Sequence, residues 1–149
     1  EQEFNKNGAT ISIAADRPDA AACLLMIGSV FQLLSEVLYK RYREEKRFVL
    51  QTRSAVASQV EDMKINSAQA AERLSQHLIA REMALYLDSQ HLKVITDHYQ
   101  LVALPNPSNV LTRHAYMING MNSESAELAQ AIRTEILQSK KKAAQLESE

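Results

Sequence analysis

The sequence predicts an all-α fold: a long antiparallel helical hairpin completed by C-terminal helices into an irregular helical bundle. Three observations carry that expectation. Only three glycines and three prolines interrupt 149 residues, and none falls between Gly28 and Pro105. Alanine, leucine, glutamine, glutamate, lysine and arginine, which lose little side-chain freedom in a helix, are plentiful. Apolar residues recur at helical spacing along most of the chain, with Leu78, Leu85, Leu92 and Tyr99 at heptad intervals joined by Leu74, Ile95 and Val102.

Residues 1–15 read as a flexible or short-strand N-terminal segment. EQEFNKNG has the composition of a frayed end, and ATISIA (9–14) alternates weakly, but a strand without an identifiable partner is marginal. Residues 16–149 form the expected single helical domain. DRPD is a helix start: Asp16 can cap backbone donors, Pro18 suits a first turn and Asp19 adds favourable negative charge. The first long helix is expected over 18–63, its inward face traced through Leu24, Ile27, Phe31, Leu34, Leu38 and Tyr42, with Leu25, Val30, Leu33 and Val37 widening it. KINSAQ (64–69) offers the best turn, because Asn66 followed by Gln69 resembles a capping box. A second helix over 67–103 then returns. The rival reading is one uninterrupted rod, since Val56, Val60, Met63, Ser67, Ala70 and Leu74 keep helical spacing across the same stretch.

LPNPSN (104–109) is the major loop, its prolines removing backbone donors. A short helix over about 109–118 should end at Gly120, and Ser123 can cap a last helix beginning near Glu124, with the seam Leu128, Ile132 and Ile136. The terminal KKKAAQLESE should protrude or fray. No internal repeat is evident.

Seventeen Lys and Arg against eighteen Asp and Glu give a net charge of -1, which rules out a large global attraction to nucleic acid or anionic lipid but leaves room for a local patch. The single Cys23 cannot form an intramolecular disulfide and sits among apolar neighbours. A reducing, cytoplasmic compartment is favoured, with a periplasmic or secreted location left open. The chain opens on Glu1, so a processed, trimmed or partial sequence is expected. The uncharged run 20–35 would rise about 24 Å as a helix, short of a roughly 30 Å hydrocarbon core. A core helix is therefore expected and integral membrane insertion disfavoured, an interfacial segment being the main alternative.

HLIAREMALYLDSQHLKVITDHY (77–99) holds three of the four histidines. On a straight helix His77 and His91 would stand about 21 Å apart and His91 and His98 about 10.5 Å, so no two could share an ion. Asp88 and His91, spaced i,i+3, are the one local chemical pair; a di-metal bundle needs a second such pair, and none occurs. No phosphate loop, dinucleotide fingerprint, zincin helix or Cys-x-x-Cys is present. No catalytic residue, metal site or cofactor is assigned.

Lys40, Arg41, Arg43, Lys46, Arg47 and Arg53 outnumber Glu44 and Glu45, with Tyr39, Tyr42 and Phe48 nearby. Such a run is a solvated helix face, a contact for an acidic protein or a phosphate-binding strip. The expected function is a non-enzymatic helical protein–protein interaction or assembly module: an adaptor, a chaperone-like component or a structural subunit. Its candidate interaction residues are Tyr39, Tyr42, Arg43, Lys46, Arg47, Tyr86, His91, His98 and Tyr99. A protein partner is expected, and a homodimer or other homo-oligomer would let two amphipathic hairpins bury complementary stripes. The alternative is a nucleic-acid-associated protein using 40–53, and the minor alternative a metal-dependent bundle enzyme.

Overall fold

The computed structural model describes residues 2–5, 8–14, 16–46 and 52–147. Its fold is mixed α/β, a four-stranded mixed sheet with five helices, so the all-α helical-bundle expectation is corrected. Strands β1 (Gln2–Asn5) and β2 (Gly8–Ile11) pair as an antiparallel hairpin, which supplies the partner that the N-terminal strand lacked on paper. Helix α1 (Ala20–Glu44) follows. Then come β3 (Ser54–Ala57), a single 3-10 turn at Glu61–Met63, α2 (Ser67–Gln76), β4 (Met83–Tyr86), α3 (Ser89–Ile95), β5 (Tyr99–Ala103), α4 (Val110–Arg113), β6 (Tyr116–Met121) and α5 (Ser123–Glu147).

The main sheet has the order β3-β4-β6-β5. Strands β3 and β4 are parallel, in register Ser54 to Met83 and Ala57 to Tyr86, and α2 makes the crossover between them. Strand β6 pairs antiparallel with both β4 and β5, and a register shift interrupts the β5–β6 ladder at Gln100/Leu101. Gly120, expected to end a helix, lies at that irregularity inside β6, where an added Cβ would come 3.0 Å from Gln100 Oε1.

Side-chain alternation along the short strands divides the core in two. Ala55, Ala57, Ala84, Tyr86 and Met117 face a cluster built with α2 and α4 from Val60, Ile65, Ala70, Leu74, Leu78, Leu104, Leu111 and Ala115. Val56, Met83, Leu85, Tyr99, Leu101 and Ile118 face the other cluster, with Ala21 and Leu25 of α1 and Leu92 and Ile95 of α3. The heptad series therefore marks core residues but no helical seam. Leu78 lies in a loop, Leu85 in β4, Leu92 in α3 and Tyr99 in β5, and the first two belong to different clusters.

Neither long helix of the expected hairpin exists as drawn. The first stops at Glu44, and the second stops at Gln76 after a start that the sequence did mark. Asn66 accepts the Gln69 N–H at 2.8 Å while Gln69 Oε1 accepts the Asn66 N–H at 3.1 Å, a complete capping box. Among the described residues, four turns are made by residues other than glycine in the left-handed region: Lys46, Lys64, Arg81 and Asn106. Lys46 and Arg81 give no glycine signal, which is why 18–63 and 67–103 each read as one continuous helix. At the C-terminal end α5 continues to Glu147, past the segment expected to fray, and Asn122 rather than Ser123 caps it, accepting the Ser125 N–H at 2.9 Å.

Candidate functional site

The candidate residues do not form one surface. Tyr99 is buried in the second cluster, where burial pushes its phenol above the ordinary value against a smaller opposing effect of a Ser29 hydrogen bond. Tyr86 packs against the first cluster, on the other side of the sheet. Both are used by the fold. His98 is exposed in the turn before β5, and Asn122 Nδ2 donates to its Nδ1 at 3.1 Å. Tyr39, half-buried on α1, lies under the Arg81 guanidinium, 4.3 Å from ring centroid to Cζ. Tyr42 is half-buried, Arg43 and Lys46 are exposed, and Arg47 lies outside the described residues. Arg53, part of the basic run on paper, donates from Nη1 to the Leu78 carbonyl at 2.8 Å, a structural bond.

Asp88 and His91 do meet. Asp88 is the N-cap of α3, and its Oδ1 accepts the backbone N–H of His91 at 2.9 Å while lying 2.8 Å from His91 Nδ1. Burial, the largest influence on Asp88, opposes its ionisation; the His91 backbone and side-chain hydrogen bonds and charge outweigh it, leaving the carboxyl below its usual value. Ser58, just past the end of the parallel strand β3, is bonded through Oγ to the Asp88 N–H at 3.4 Å. Among the described residues its hydroxyl makes no bond to the imidazole. The cluster is therefore a helix start braced by a histidine. Cys23 is no better as a nucleophile: its thiol donates to Asp19 Oδ2 at 3.4 Å, and that bond, with burial and the Asp19 charge, pushes it up. Among the described residues no three His, Cys, Asp or Glu side chains are grouped to hold a metal.

The most unusual surface belongs to α1. Its sheet-facing side is made of small and polar residues as much as apolar ones. Leu25 is fully buried, Ala21 and Ser29 are buried, an added Cβ at Gly28 would lie 2.6 Å from Met83 Cε, and Gln32 Nε2 donates to Ser54 Oγ at 3.2 Å. Ile27, Phe31, Leu34 and Leu38, expected to point inward, lie on the opposite side. At about 100° per residue these four fall within roughly 60° of one another and face away from Leu25 and Ser29. Ile27, Phe31 and Leu38 are 42%, 46% and 38% exposed. By length and composition α1 could cross a membrane, yet only 22% of its most apolar 18-residue window is buried.

Charge gathers at the far end of α1. Lys40, Arg41, Arg43 and Lys46 occupy its last turns and exit together with Glu44 and Glu45, all exposed, and at about 100° per residue Arg41 lies near the side of the stripe while Lys40 and Arg43 lie on the side of Leu25 and Ser29. Helix α5 packs alongside α1. The buried residues of α5, Ser125 and Ala129, lie near its start, as those of α1 lie between Ala20 and Val30, and a groove joins their later halves. The two helices thus leave the sheet in the same sense, and Lys140, Lys141 and Lys142 of α5 lie toward the same end. The opposite end of α1 carries Asp16 and Asp19, the latter ion-paired with Arg17 at 3.0 Å. Sequence spacing had located the stripe; its outward direction had no signal, because the inner side is tied down by Gly28, Ser29 and Gln32. No protein-family model matches the chain, and no match is found among curated proteins.

Proposed function

We propose that the chain is a non-enzymatic docking module that lies on an anionic bilayer surface through the outward side of α1 and the basic end that α1 shares with α5. The observation that carries this reading is the inverted burial of α1: its more apolar side faces solvent, on a helix whose last turns and exit carry Lys40, Arg41, Arg43 and Lys46 against Glu44 and Glu45. An interfacial helix places such a side at the headgroup–acyl boundary, and juxtaposed basic residues add about 1 kcal/mol each near an anionic surface. Surface docking keeps the bonds of Gln32 to Ser54 and Glu82 and the burial of Leu25, all of which a spanning α1 would have to break.

A nucleic-acid backbone would use the same cations but would leave Phe31 and Leu38 without a role. A protein partner would use the apolar stripe without requiring anionic lipid. Flotation with vesicles separates these readings. The protein should float with phosphatidylcholine vesicles containing phosphatidylglycerol, lose that binding progressively with salt, and float poorly with phosphatidylcholine alone. Equal recovery with both vesicles, absence of flotation, or a concentration-dependent dimer that no vesicle dissociates would overturn the proposal.

A further inference from the structure

Between the later halves of α1 and α5 lies an open groove of about 340 Å³, lined by Val37 from α1 and by Arg133, Thr134, Leu137, Gln138 and Lys141 from α5. Arg133, Leu137 and Lys141 follow at every fourth position and so share one side of α5. The Arg133 Nε is shut off from solvent and has no hydrogen-bond partner among the described residues. Neither Arg133 nor Lys141 belongs to an ion pair among the described residues. Nε itself is closed to an ion in the groove, but among the described residues no other Arg133 N–H is bonded either, and an arriving anion would pair with that free edge of the guanidinium.

The geometry points to a binding site for one phosphate monoester in this groove, held by the Arg133 guanidinium and the Lys141 ammonium; the Thr134 hydroxyl, which also lines the groove, donates to the Gln130 carbonyl at 2.9 Å. Val37 and Leu137 give the site an apolar wall, which suits a phosphate carried on an acyl glycerol. The inference rests on the docking reading for the source of the ligand, a phosphatidic-acid headgroup, while the phosphate chemistry itself would be shared by free phosphate. Arginine presents donors in a planar fork matched to phosphate oxygens, and lysine adds a point charge.

Two measurements on the full chain test this. In the first, the side-chain Nε–H resonance of Arg133 is followed by NMR during titration with inorganic phosphate, with chloride at equal ionic strength as control. It should shift with phosphate, saturably, and stay in place with chloride. In the second, flotation is compared for vesicles containing phosphatidic acid and vesicles containing phosphatidylglycerol at matched surface charge. Arg133→Gln should weaken binding to phosphatidic acid by about tenfold, the loss expected of one charge-assisted hydrogen bond. Lys142→Gln removes the same charge outside the groove and should weaken binding to both vesicles alike, to a smaller extent.

Equal losses for Arg133→Gln and Lys142→Gln on phosphatidic acid, with the Arg133 resonance indifferent to phosphate, would overturn the site and leave surface docking standing. A saturable Arg133 shift with no flotation on either vesicle would support the phosphate site and overturn the docking reading. No shift and no flotation would overturn both. Thermal melts of each variant confirm that folded proteins are compared.

Discussion

Asp88 grips His91 twice, accepting its backbone N–H at 2.9 Å and lying 2.8 Å from its Nδ1 with the same Oδ1 atom. One carboxylate thus starts helix α3 and fixes an imidazole against it. Replacing Asp88 by alanine should reduce stability by about 1 kcal/mol, within the range for a lost N-cap, whereas Asp88→Asn should retain most of the cap. Urea denaturation at neutral pH checks both.

The same pair sets a pH dependence. Because the folded carboxyl is held below its usual value, its stabilising contribution is complete above the unfolded pKa of about 3.9 and is lost as pH falls through the lower folded value. The stability difference between the parent and Asp88→Ala should therefore be present at about pH 5 and shrink below pH 4. A difference that persists unchanged to pH 2.5 would show that the charge of Asp88 is immaterial.

Lys64 follows the 3-10 turn with φ 53° and ψ 38°, and its own N–H donates to the Glu61 carbonyl at 3.0 Å. It is exposed, and glycine would adopt this conformation without a clashing Cβ. Lys64→Gly should raise stability by up to about 1 kcal/mol, against the usual direction for an added glycine. Loss of stability on chemical denaturation would mean that the lysine side chain is needed there.

These left-handed residues also explain how much of the fold was legible. Punctuation that works through side-chain chemistry could be read: Asn66 and Gln69 start α2, and Pro105 and Pro107 hold the loop after β5, whereas α5 is capped by Asn122, one residue before the expected Ser123. The strands could not. At four to six residues, MALY, YQLVA and YMINGM are too short to impose a period of two on a window that also fits 3.6, and Lys64 and Arg81 turn the chain where a glycine would have announced it. Leu78, Leu85 and Tyr99 were recognisable as core, since burial follows hydrophobicity whatever the backbone does. Which side of α1 faces the sheet was only partly legible: Leu24, Leu25 and Val30 of the expected inward set do pack or are buried, but Gly28 and Gln32 hold the helix by close approach and hydrogen bonds and leave Ile27, Phe31 and Leu38 outward. The groove cation Arg133 carried no signal because its partner residue, Val37, is almost a hundred positions away.

The two sides of α1 should respond differently to substitution. Leu25 is 0% exposed, and Leu25→Ala should cost about 2–5 kcal/mol, the range for a truncated core leucine. Phe31→Ser on the outward side should change stability by less than about 1 kcal/mol while abolishing vesicle flotation. If Phe31→Ser instead unfolds the protein as Leu25→Ala does, the stripe is core and has no docking role.

The most direct test places a probe within that stripe. The chain contains no tryptophan, so Phe31→Trp makes a sole fluorescent reporter at the middle of the outward side. On addition of phosphatidylglycerol vesicles its emission should shift to the blue and be quenched by lipids brominated near the headgroup end of the acyl chain, with little change on phosphatidylcholine vesicles. Emission that stays at its solvent-exposed wavelength with anionic vesicles, at low salt and in lipid excess, would contradict the account.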